Sequence, residues 1–175
     1  PDNGYILDLC TGSGCIAIST LCERPDLRGD AVDISRPAVQ IAGKNAEING
    51  VAPRLRIIEA DAENPLLISY LQNYYNRNQI YDIIVSNPPY IRTSVIESLS
   101  LQVKSEPRIA LDGGVDGMRY YRAFLKMYPP LLKKGGVLLF EIGYDQAKQI
   151  KALAASYGAS GCEIFKDYGG NDRVA

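Results

Sequence analysis

The sequence predicts an α/β domain with a doubly wound, mostly parallel sheet, helices on both faces and an antiparallel strand at the C-terminal end. Short apolar runs alternate with helical patterns along the chain, which is typical of parallel sheets covered on both faces. The 175 residues are 46% hydrophobic and 22% charged, a composition that suits one domain with a single core. The tail predicts two strands around a Gly169-Gly170 turn.

The first half of the chain predicts four strands separated by three helices. The second of these helices has the clearest boundaries, since Ser35 can cap its first turn, Pro37 lies within that turn and Gly50 can end it. The predicted strands are 5–9, 29–34, 55–61 and 81–87, and the predicted helices are 13–24, 35–51 and 64–80.

The second half predicts a long irregular segment followed by a helix, a strand and another helix. The segment runs from Tyr90 to about Gly117 and is too long to be an idle connector. The helical pattern that follows is broken by Pro129-Pro130. The predicted elements are helix 118–132, strand 135–143, helix 145–158 and the paired strands within 161–175.

Composition and charge argue against several classes of function. The net charge of −1 and pI of about 5.5 argue against a protein that holds nucleic acid through phosphates. No apolar run reaches the ~20 residues that span a membrane, and no secretory leader is visible. The chain has no histidine and no C-x-x-C pair, so neither a metal site nor a histidine-activated nucleophile is predicted. We therefore expect a cytoplasmic protein with reduced thiols.

Glycines and acids mark the carboxyl ends of the first three strands, where open α/β sheets bind their ligands. Gly12 and Gly14 follow the first strand, with Asp8 just before them, and permit close backbone approach to a ligand. Asp33 is placed to accept hydrogen bonds from both hydroxyls of a ribose, and Asp61 from an adenine amino group. A nucleoside site is therefore predicted; carboxylates that only cap the next helix are the alternative.

The residues that follow the fourth strand discriminate between two possible nucleoside cofactors, NAD and S-adenosyl-L-methionine. A dehydrogenase usually needs an acid-base group such as histidine, which this chain lacks. Instead, the prolines of Asn87-Pro88-Pro89-Tyr90 stop the strand, because proline cannot donate to a sheet ladder.

This turn predicts a clamp for a planar amino group that accepts a methyl group. The lone pair of such a nitrogen is tied up in resonance and must turn toward the methyl donor. The Asn87 side-chain oxygen and the Pro88 carbonyl can each hold one N–H and accept the charge that grows on nitrogen. Tyr90 can stack on the flat group. A turn that merely starts a loop is the alternative.

The chain resembles the class I, S-adenosyl-L-methionine-dependent methyltransferases, and within them the HemK/PrmC protein-(glutamine-N5) methyltransferases. "DLCTGSGCIAI" is similar to the family's cofactor loop, "AVDIS" to its ribose-binding strand end and "IVSNPPYI" to its catalytic turn. The stretches "EPRIALDGGVDGMRYY", "LLFEIGYDQ" and "KDYGGNDRV" narrow the resemblance to glutamine methylation of proteins.

The resemblance implies a Rossmann-like methyltransferase fold. Residues 1–175 would form the catalytic domain, without the family's N-terminal substrate-recognition domain. It also implies that Asn87, Pro88, Pro89 and Tyr90 carry the reaction and that S-adenosyl-L-homocysteine is the product. Glu106 would lie on the substrate side in a structural or positioning role. The implied cofactor-binding residues are Asp8, Thr11, Gly12, Gly14, Asp33, Ile34, Asp61, Ala62 and Asn87.

The implied partner is a class 1 peptide-chain release factor, methylated on the glutamine of its Gly-Gly-Gln motif. A sister group methylates a glutamine of ribosomal protein L3, and its cofactor loop often has cysteine at the position of Cys10. DNA and RNA amino methyltransferases share the Asn-Pro-Pro-Tyr turn, but the slight acidity and the lack of a visible target-recognition domain argue against them. A non-catalytic nucleoside-binding module would not need the clamp.

Overall fold

The computed structural model describes residues 3–175, which fall into two compact units. The first unit comprises the residues up to Ser86 together with Met127–Leu139, and the second comprises Asn87–Lys126 and Phe140–Ala175. Across residues 3–175, none of the helices has the length and apolar character needed to cross a membrane.

The first unit is built on a five-stranded sheet with the order β3-β2-β1-β4-β5. Its strands are β1 (Tyr5–Leu9), β2 (Arg28–Asp33), β3 (Leu55–Glu59), β4 (Tyr81–Ser86) and β5 (Leu132–Phe140), whose last residue belongs to the second unit. The first four strands pair in parallel. The chain runs outward from β1 to β3 and returns to β4 beside β1, so the strand order reverses between β1 and β4. This topology confirms the predicted doubly wound sheet.

Three helices connect the strands of this unit, α1 (Cys15–Glu23), α2 (Arg36–Ile48) and α3 (Leu66–Tyr75). The predicted start of α2 is confirmed, because the Ala38 amide donates to Ser35 Oγ and Pro37 lies in the first turn. α3 ends at Asn76, which adopts a left-handed conformation. It is shorter than predicted at both ends.

An apolar core lies between the first two helices and the sheet. Its fully or nearly fully buried members come from both helices, from the strands β1, β2 and β3 and from the segments that connect them. Burial of each large aliphatic side chain stabilises the fold by about 1.5–3 kcal/mol. The cluster consists of Ile6, Ala17, Ile18, Leu21, Leu27, Ala31, Ala46, Val51 and Leu55. This packing fixes the glycine turn that joins β1 to α1.

A buried carboxylate explains why α3 is rich in tyrosine. Asp30 in β2 is fully buried and accepts hydrogen bonds from Arg56 Nε (2.7 Å), Tyr75 Oη (3.0 Å) and Tyr81 Oη. The guanidinium of Arg56 lies 3.6 Å from the ring centroid of Tyr74, a cation–π contact. Because Asp30 is paired with Arg56 across β2 and β3, the cluster ties the two strands and α3 together.

The second unit contains four α-helices and a short hairpin. These are α4 (Leu101–Lys104), α5 (Arg108–Leu111), α6 (Arg119–Met127), whose last residue belongs to the first unit, α7 (Ala147–Ser156), and the antiparallel strands β6 (Phe165–Lys166) and β7 (Asp172–Val174). The predicted hairpin is confirmed.

Two predictions for the second half of the chain were wrong in detail. The segment predicted to be irregular contains a 3-10 helix, Thr93–Ser98, as well as α4 and α5. The predicted break at Pro129-Pro130 is confirmed, because the helix predicted within 118–132 ends at Met127 and a separate 3-10 turn, Pro129–Leu131, follows. β5 then begins at Leu132, three residues before the predicted strand. Proline in this turn ends the α-helix, because it removes a backbone donor and clashes with the preceding turn.

Candidate functional site

Asp8, in β1, is a fully buried carboxylate that holds the glycine turn in place. Its Oδ2 accepts hydrogen bonds from Thr11 Oγ1 (2.6 Å) and from the Ala17 amide (3.1 Å). Its Oδ1 is buried and has no hydrogen-bond partner among residues 3–175. Burial raises the pKa of Asp8 to about 6, against the lowering effect of the two hydrogen bonds. A positively charged ligand beside this turn would favour the ionised form of Asp8.

The turn after β1 needs glycine at two positions. Gly12 (φ 57°) and Gly14 (φ 83°) both lie in the left-handed region. A Cβ at Gly14 would lie 2.7 Å from Ile18 Cδ1, whereas one at Gly12 would have no neighbour within 4 Å. The Thr11 amide donates to the Val32 carbonyl at 3.0 Å and ties the turn to β2. The turn is therefore rigid but has open space beside Gly12, as the approach of a ligand to the backbone requires.

Cys10 also adopts a left-handed conformation, with φ 59°, which is uncommon for a residue other than glycine. Burial, followed by the charge of Asp33, raises the pKa of the Cys10 thiol to about 12. The thiol is therefore neutral, and the residue belongs to the frame of the turn.

Asp33, at the end of β2, fixes the turn and keeps room for a ligand. Its Oδ2 accepts a hydrogen bond from the Gly12 amide and its Oδ1 from the Ser35 amide, both at 2.8 Å. A carboxylate has about four acceptor positions, so about two remain for the hydroxyls of a ribose. The neighbouring Ile34 is 49% exposed and offers apolar surface beside them. The bonds to the backbone were not foreseen from the sequence.

Asp61 and Ala62 follow β3, whose end is joined to that of β2 by a hydrogen bond from the Ala60 amide to the Asp33 carbonyl (2.9 Å). The exposed Asp61 accepts a hydrogen bond from the Glu63 amide (2.8 Å) and thereby stabilises its own turn. Ala62 is buried. The contact of these two residues with adenine stays a prediction.

The proline turn opens the second unit, directly after the last residue of β4. Asn87 is exposed, Pro88 and Pro89 are buried, and Tyr90 is partly buried. The Asn87 side chain makes no hydrogen bond within residues 3–175, so its amide oxygen is available to a ligand. Past the turn, the Ile91 amide donates to the Leu111 carbonyl at 3.0 Å. A buried proline pair between two anchored ends gives this turn little freedom.

Tyr90 is held by residues that the sequence did not single out. Its hydroxyl donates to Glu141 Oε1 (3.2 Å), and its carbonyl accepts from Gln146 Nε2 (3.1 Å). Burial and the charge of Glu141 raise the pKa of Tyr90, while Arg173 lowers it. The phenol is therefore protonated at neutral pH. Glu141, Gln146 and Arg173 lie in "LLFEIGYDQ" and "KDYGGNDRV", so these two stretches were the only signal available.

Glu106 lies between α4 and α5 and is exposed. Its amide donates to the Val103 carbonyl at 3.1 Å, and the following Pro107 occupies the cap position of α5. Within residues 3–175, the Glu106 side chain has no hydrogen bond to Asn87 or Tyr90. Its role on the substrate side stays a prediction.

Comparison with known proteins gives the family. Residues 1–103, more than half of the chain, match the family model described as methyltransferase small domain. The chain belongs to the methyltransferase small domain family. This membership agrees with the predicted cofactor, S-adenosyl-L-methionine.

Curated relatives of this methyltransferase domain are considerably longer proteins. It is 42% identical, over 96% of its length, to a release factor glutamine methyltransferase of Moorella thermoacetica, of which it covers 56%. It is 41% identical, over 97% of its length, to a release factor glutamine methyltransferase of Agrobacterium fabrum, of which it covers 55%. The chain thus spans about half the length of these relatives.

Solved structures confirm the fold of this methyltransferase domain. TrmN from Thermus thermophilus superposes with a TM-score of 0.61 at 21% identity, covering 99% of this chain and 43% of TrmN. A ribosomal protein L11 methylase from Lactobacillus delbrueckii subsp. bulgaricus superposes with a TM-score of 0.59 at 20% identity, covering 98% of this chain and 67% of the methylase. The predicted Rossmann-like methyltransferase fold is confirmed.

Proposed function

We propose that this chain is the catalytic domain of a cytoplasmic protein-(glutamine-N5) methyltransferase. Its substrate is the glutamine of the Gly-Gly-Gln motif in class 1 peptide-chain release factors. The observation that carries the proposal is the Asn87-Pro88-Pro89-Tyr90 turn, which directly follows a parallel strand in a methyltransferase domain. The name shared by the curated relatives, release factor glutamine methyltransferase, supports the choice of substrate.

The first unit binds the cofactor through the ends of β1, β2 and β3. The Asp33 carboxylate accepts hydrogen bonds from the two ribose hydroxyls at the acceptor positions that the Gly12 and Ser35 amides do not occupy. The open space beside Gly12 admits the part of the cofactor that carries the positive charges, and the buried Asp8 stabilises those charges electrostatically. Thr11 and Gly14 keep this turn in shape. Ile34, Asp61 and Ala62 border the adenine.

The second unit holds the acceptor. The side-chain oxygen of Asn87 and the carbonyl of Pro88 each accept one N–H of the glutamine carboxamide, which favours pyramidal nitrogen and the positive charge that develops on it. Pro89 keeps the Pro88 carbonyl rigid. Tyr90 stacks on the flat carboxamide. Glu106 contacts the protein around the acceptor glutamine.

The bound cofactor supplies a methyl group on a sulfonium, which is electrophilic without a metal. The glutamine nitrogen forms the new bond to this methyl group while the sulfur–carbon bond breaks, leaving S-adenosyl-L-homocysteine. One proton leaves the nitrogen after the transfer, so the chain needs no strong base. The work of the protein is therefore to orient the carboxamide and to accept the charge on it.

Mass spectrometry of the acceptor tests this function. The full-length protein is incubated with isotopically labelled S-adenosyl-L-methionine and a class 1 release factor, and peptides of the release factor are sequenced. We expect one methyl group, on the glutamine of Gly-Gly-Gln. A release factor in which this glutamine is replaced by alanine serves as the control and should stay unlabelled.

Two further acceptors complete the experiment. Ribosomal protein L3 and double-stranded DNA are offered at the same concentration in separate reactions. Label in L3 and none in the release factor would reassign the enzyme to the sister specificity. Label in DNA alone, lost steeply as salt is raised, would indicate a nucleic-acid methyltransferase and overturn the proposal.

A further inference from the structure

Tyr90 is held at both ends by residues far away in the chain. Its hydroxyl donates to Glu141 Oε1 at 3.2 Å, 51 residues on, and accepts a long hydrogen bond of 3.5 Å from Arg173 Nη1, 83 residues on. Its carbonyl accepts from Gln146 Nε2 at 3.1 Å, 56 residues on. All four residues belong to the second unit. The orientation of the Tyr90 ring is thus set by tertiary contacts.

The residues that hold the hydroxyl are themselves braced. Arg173 Nε and Nη2 both donate to Asp167 Oδ2 at 3.3 Å, and Arg173 Nη1 also donates to the Ile142 carbonyl at 3.3 Å. The Ile142 amide in turn donates to the Arg173 carbonyl at 2.9 Å. Because Ile142 adjoins Glu141, the acceptor and the cation at the Tyr90 hydroxyl are fixed relative to each other.

The backbone of Tyr90 is enclosed just as closely. Gln146 is 2% exposed, and its Oε1 accepts from the Gly143 amide at 2.8 Å while its Nε2 also donates to the Gly117 carbonyl at 3.2 Å. A Cβ at Gly117 would lie 2.4 Å from the Tyr90 carbonyl oxygen, and one at Gly113 would lie 2.7 Å from Tyr90 Cα. Only glycine permits the chain to pass so close to the turn.

The geometry points to Glu141 and Arg173 as positioning residues that fix the plane of the Tyr90 ring for stacking on the acceptor carboxamide. This inference rests on the proposed function. A tyrosine ring turns about two side-chain bonds. Hydrogen bonds at the hydroxyl fix the position of its oxygen, which restrains the first bond. Because a phenol O–H lies close to the ring plane, an acceptor and a donor at fixed directions from this oxygen also favour one orientation about the second bond. Glu141 accepts a hydrogen bond from the Tyr90 hydroxyl and Arg173 donates one to its oxygen, so the tether has a defined direction.

A double-mutant cycle in the full-length enzyme separates positioning from mere structural support. The variants are Glu141→Ala, Tyr90→Phe, both together, and Glu141→Gln, whose amide oxygen can still accept the Tyr90 hydroxyl. The exposed Glu163→Ala is the control from the same unit. The kcat and KM for the release factor and the Kd for the cofactor are measured for each, with Tm as a check on folding.

We expect Glu141→Ala and Tyr90→Phe each to lower kcat about tenfold, as loss of one hydrogen bond to a charged group does, with the cofactor Kd unchanged. The double variant should be no slower than either single variant, because both changes break the same tether. Glu141→Gln should keep kcat within about threefold of the wild type. Losses that multiply in the double variant, or a Glu141→Gln enzyme as slow as Glu141→Ala, would overturn the inference.

A spectroscopic arm distinguishes failure of this inference from failure of the proposed function. If the wild-type enzyme methylates no offered protein, the function is wrong whatever the variants do. In that case the 13Cζ resonance of Tyr90, assigned by its disappearance in Tyr90→Phe, reports the tether directly. It should shift in Glu141→Ala and stay in place in Glu163→Ala. A resonance that does not respond to Glu141→Ala contradicts the positioning role by itself.

Discussion

Substitution of Asp8 by asparagine should remove a defined part of the pH dependence of stability. Asp8 is fully buried, and burial raises its pKa from 3.8 to about 6. The folded protein therefore binds this proton more tightly than the unfolded chain does. Between pH 4 and pH 6, roughly, the unfolded chain loses the proton first, so the stability of the protein falls as the pH rises.

The size of the effect follows from the two pKa values. The difference between 3.8 and about 6, at 1.36 kcal/mol per pKa unit, gives a penalty of about 3 kcal/mol above pH 6. About 2 kcal/mol of this penalty develops between about pH 4.5 and about pH 7.5. An asparagine does not titrate, and its side-chain oxygen can keep the hydrogen bonds from Thr11 and Ala17.

Urea denaturation at these two pH values measures the effect. The free energy of unfolding is determined at both pH values for the wild type and for Asp8→Asn. The change with pH in the variant is then subtracted from the change with pH in the wild type, which cancels the contribution of the remaining carboxylates. We expect the wild type to lose about 2 kcal/mol more than the variant on going to the higher pH. Glu59→Gln, at an exposed position in β3, controls for the change in net charge. Parallel pH curves for the wild type and Asp8→Asn would refute the reasoning.

Three more outcomes are expected. Asp33→Ala should raise the Kd for S-adenosyl-L-methionine by about one to two decades, since it removes charge-assisted hydrogen bonds, and an unchanged calorimetric affinity would take Asp33 out of the site. Gly117→Ala should lower the free energy of unfolding by at least about 2 kcal/mol. Gly135 has a similar φ, but a Cβ there would have no neighbour within 4 Å, so Gly135→Ala is the control for backbone strain alone. An equal loss of stability in the two variants would contradict a clash between residue 117 and the Tyr90 carbonyl. S-adenosyl-L-homocysteine should raise Tm in a thermal-shift assay, and stabilisation by NAD alone would overturn the cofactor assignment.

The sheet was predictable because parallel strands have simple signatures. The strands 5–9 and 81–86 consist mostly of apolar residues, and the second is followed directly by a proline turn that ends it. The glycine turn and the acids at the strand ends follow from the same logic, since carboxyl ends of neighbouring parallel strands meet at one edge. At this edge, Asp8 accepts a hydrogen bond from the Thr11 hydroxyl, and Asp33 accepts one from the amide of Gly12, the residue that follows Thr11.

The segment before α6 resisted prediction for a local reason. The helices α4 and α5 have four residues each, which is too short for an apolar face to repeat. The residue that ends α5, Asp112, is held by a side chain from outside the helix, since Thr93 Oγ1 donates to Asp112 Oδ1 at 2.6 Å. A secondary-structure prediction from a short stretch of sequence cannot detect such a contact.

The polar contacts made inside the fold could have been found only in part. Asp30 lies among the buried residues of β2 and is paired in register with Arg56 on β3, so a prediction of register would have joined them. Glu141, Gln146 and Arg173 offered no such pattern, since they meet Tyr90 across 51 to 83 residues of chain. Contacts of that range follow from the tertiary fold.

Single-turnover methyl transfer by Asn87→Ala tests the central claim most directly. The change removes one of the two acceptors that hold the glutamine N–H groups, and this interaction strengthens as charge develops on nitrogen. With the full-length enzyme saturated with cofactor and release factor, we predict a rate about 10²–10³-fold below the wild type, and a much smaller change in the Kd for the cofactor. Transfer by Asn87→Ala at the wild-type rate would contradict the clamp, even in a confirmed glutamine methyltransferase.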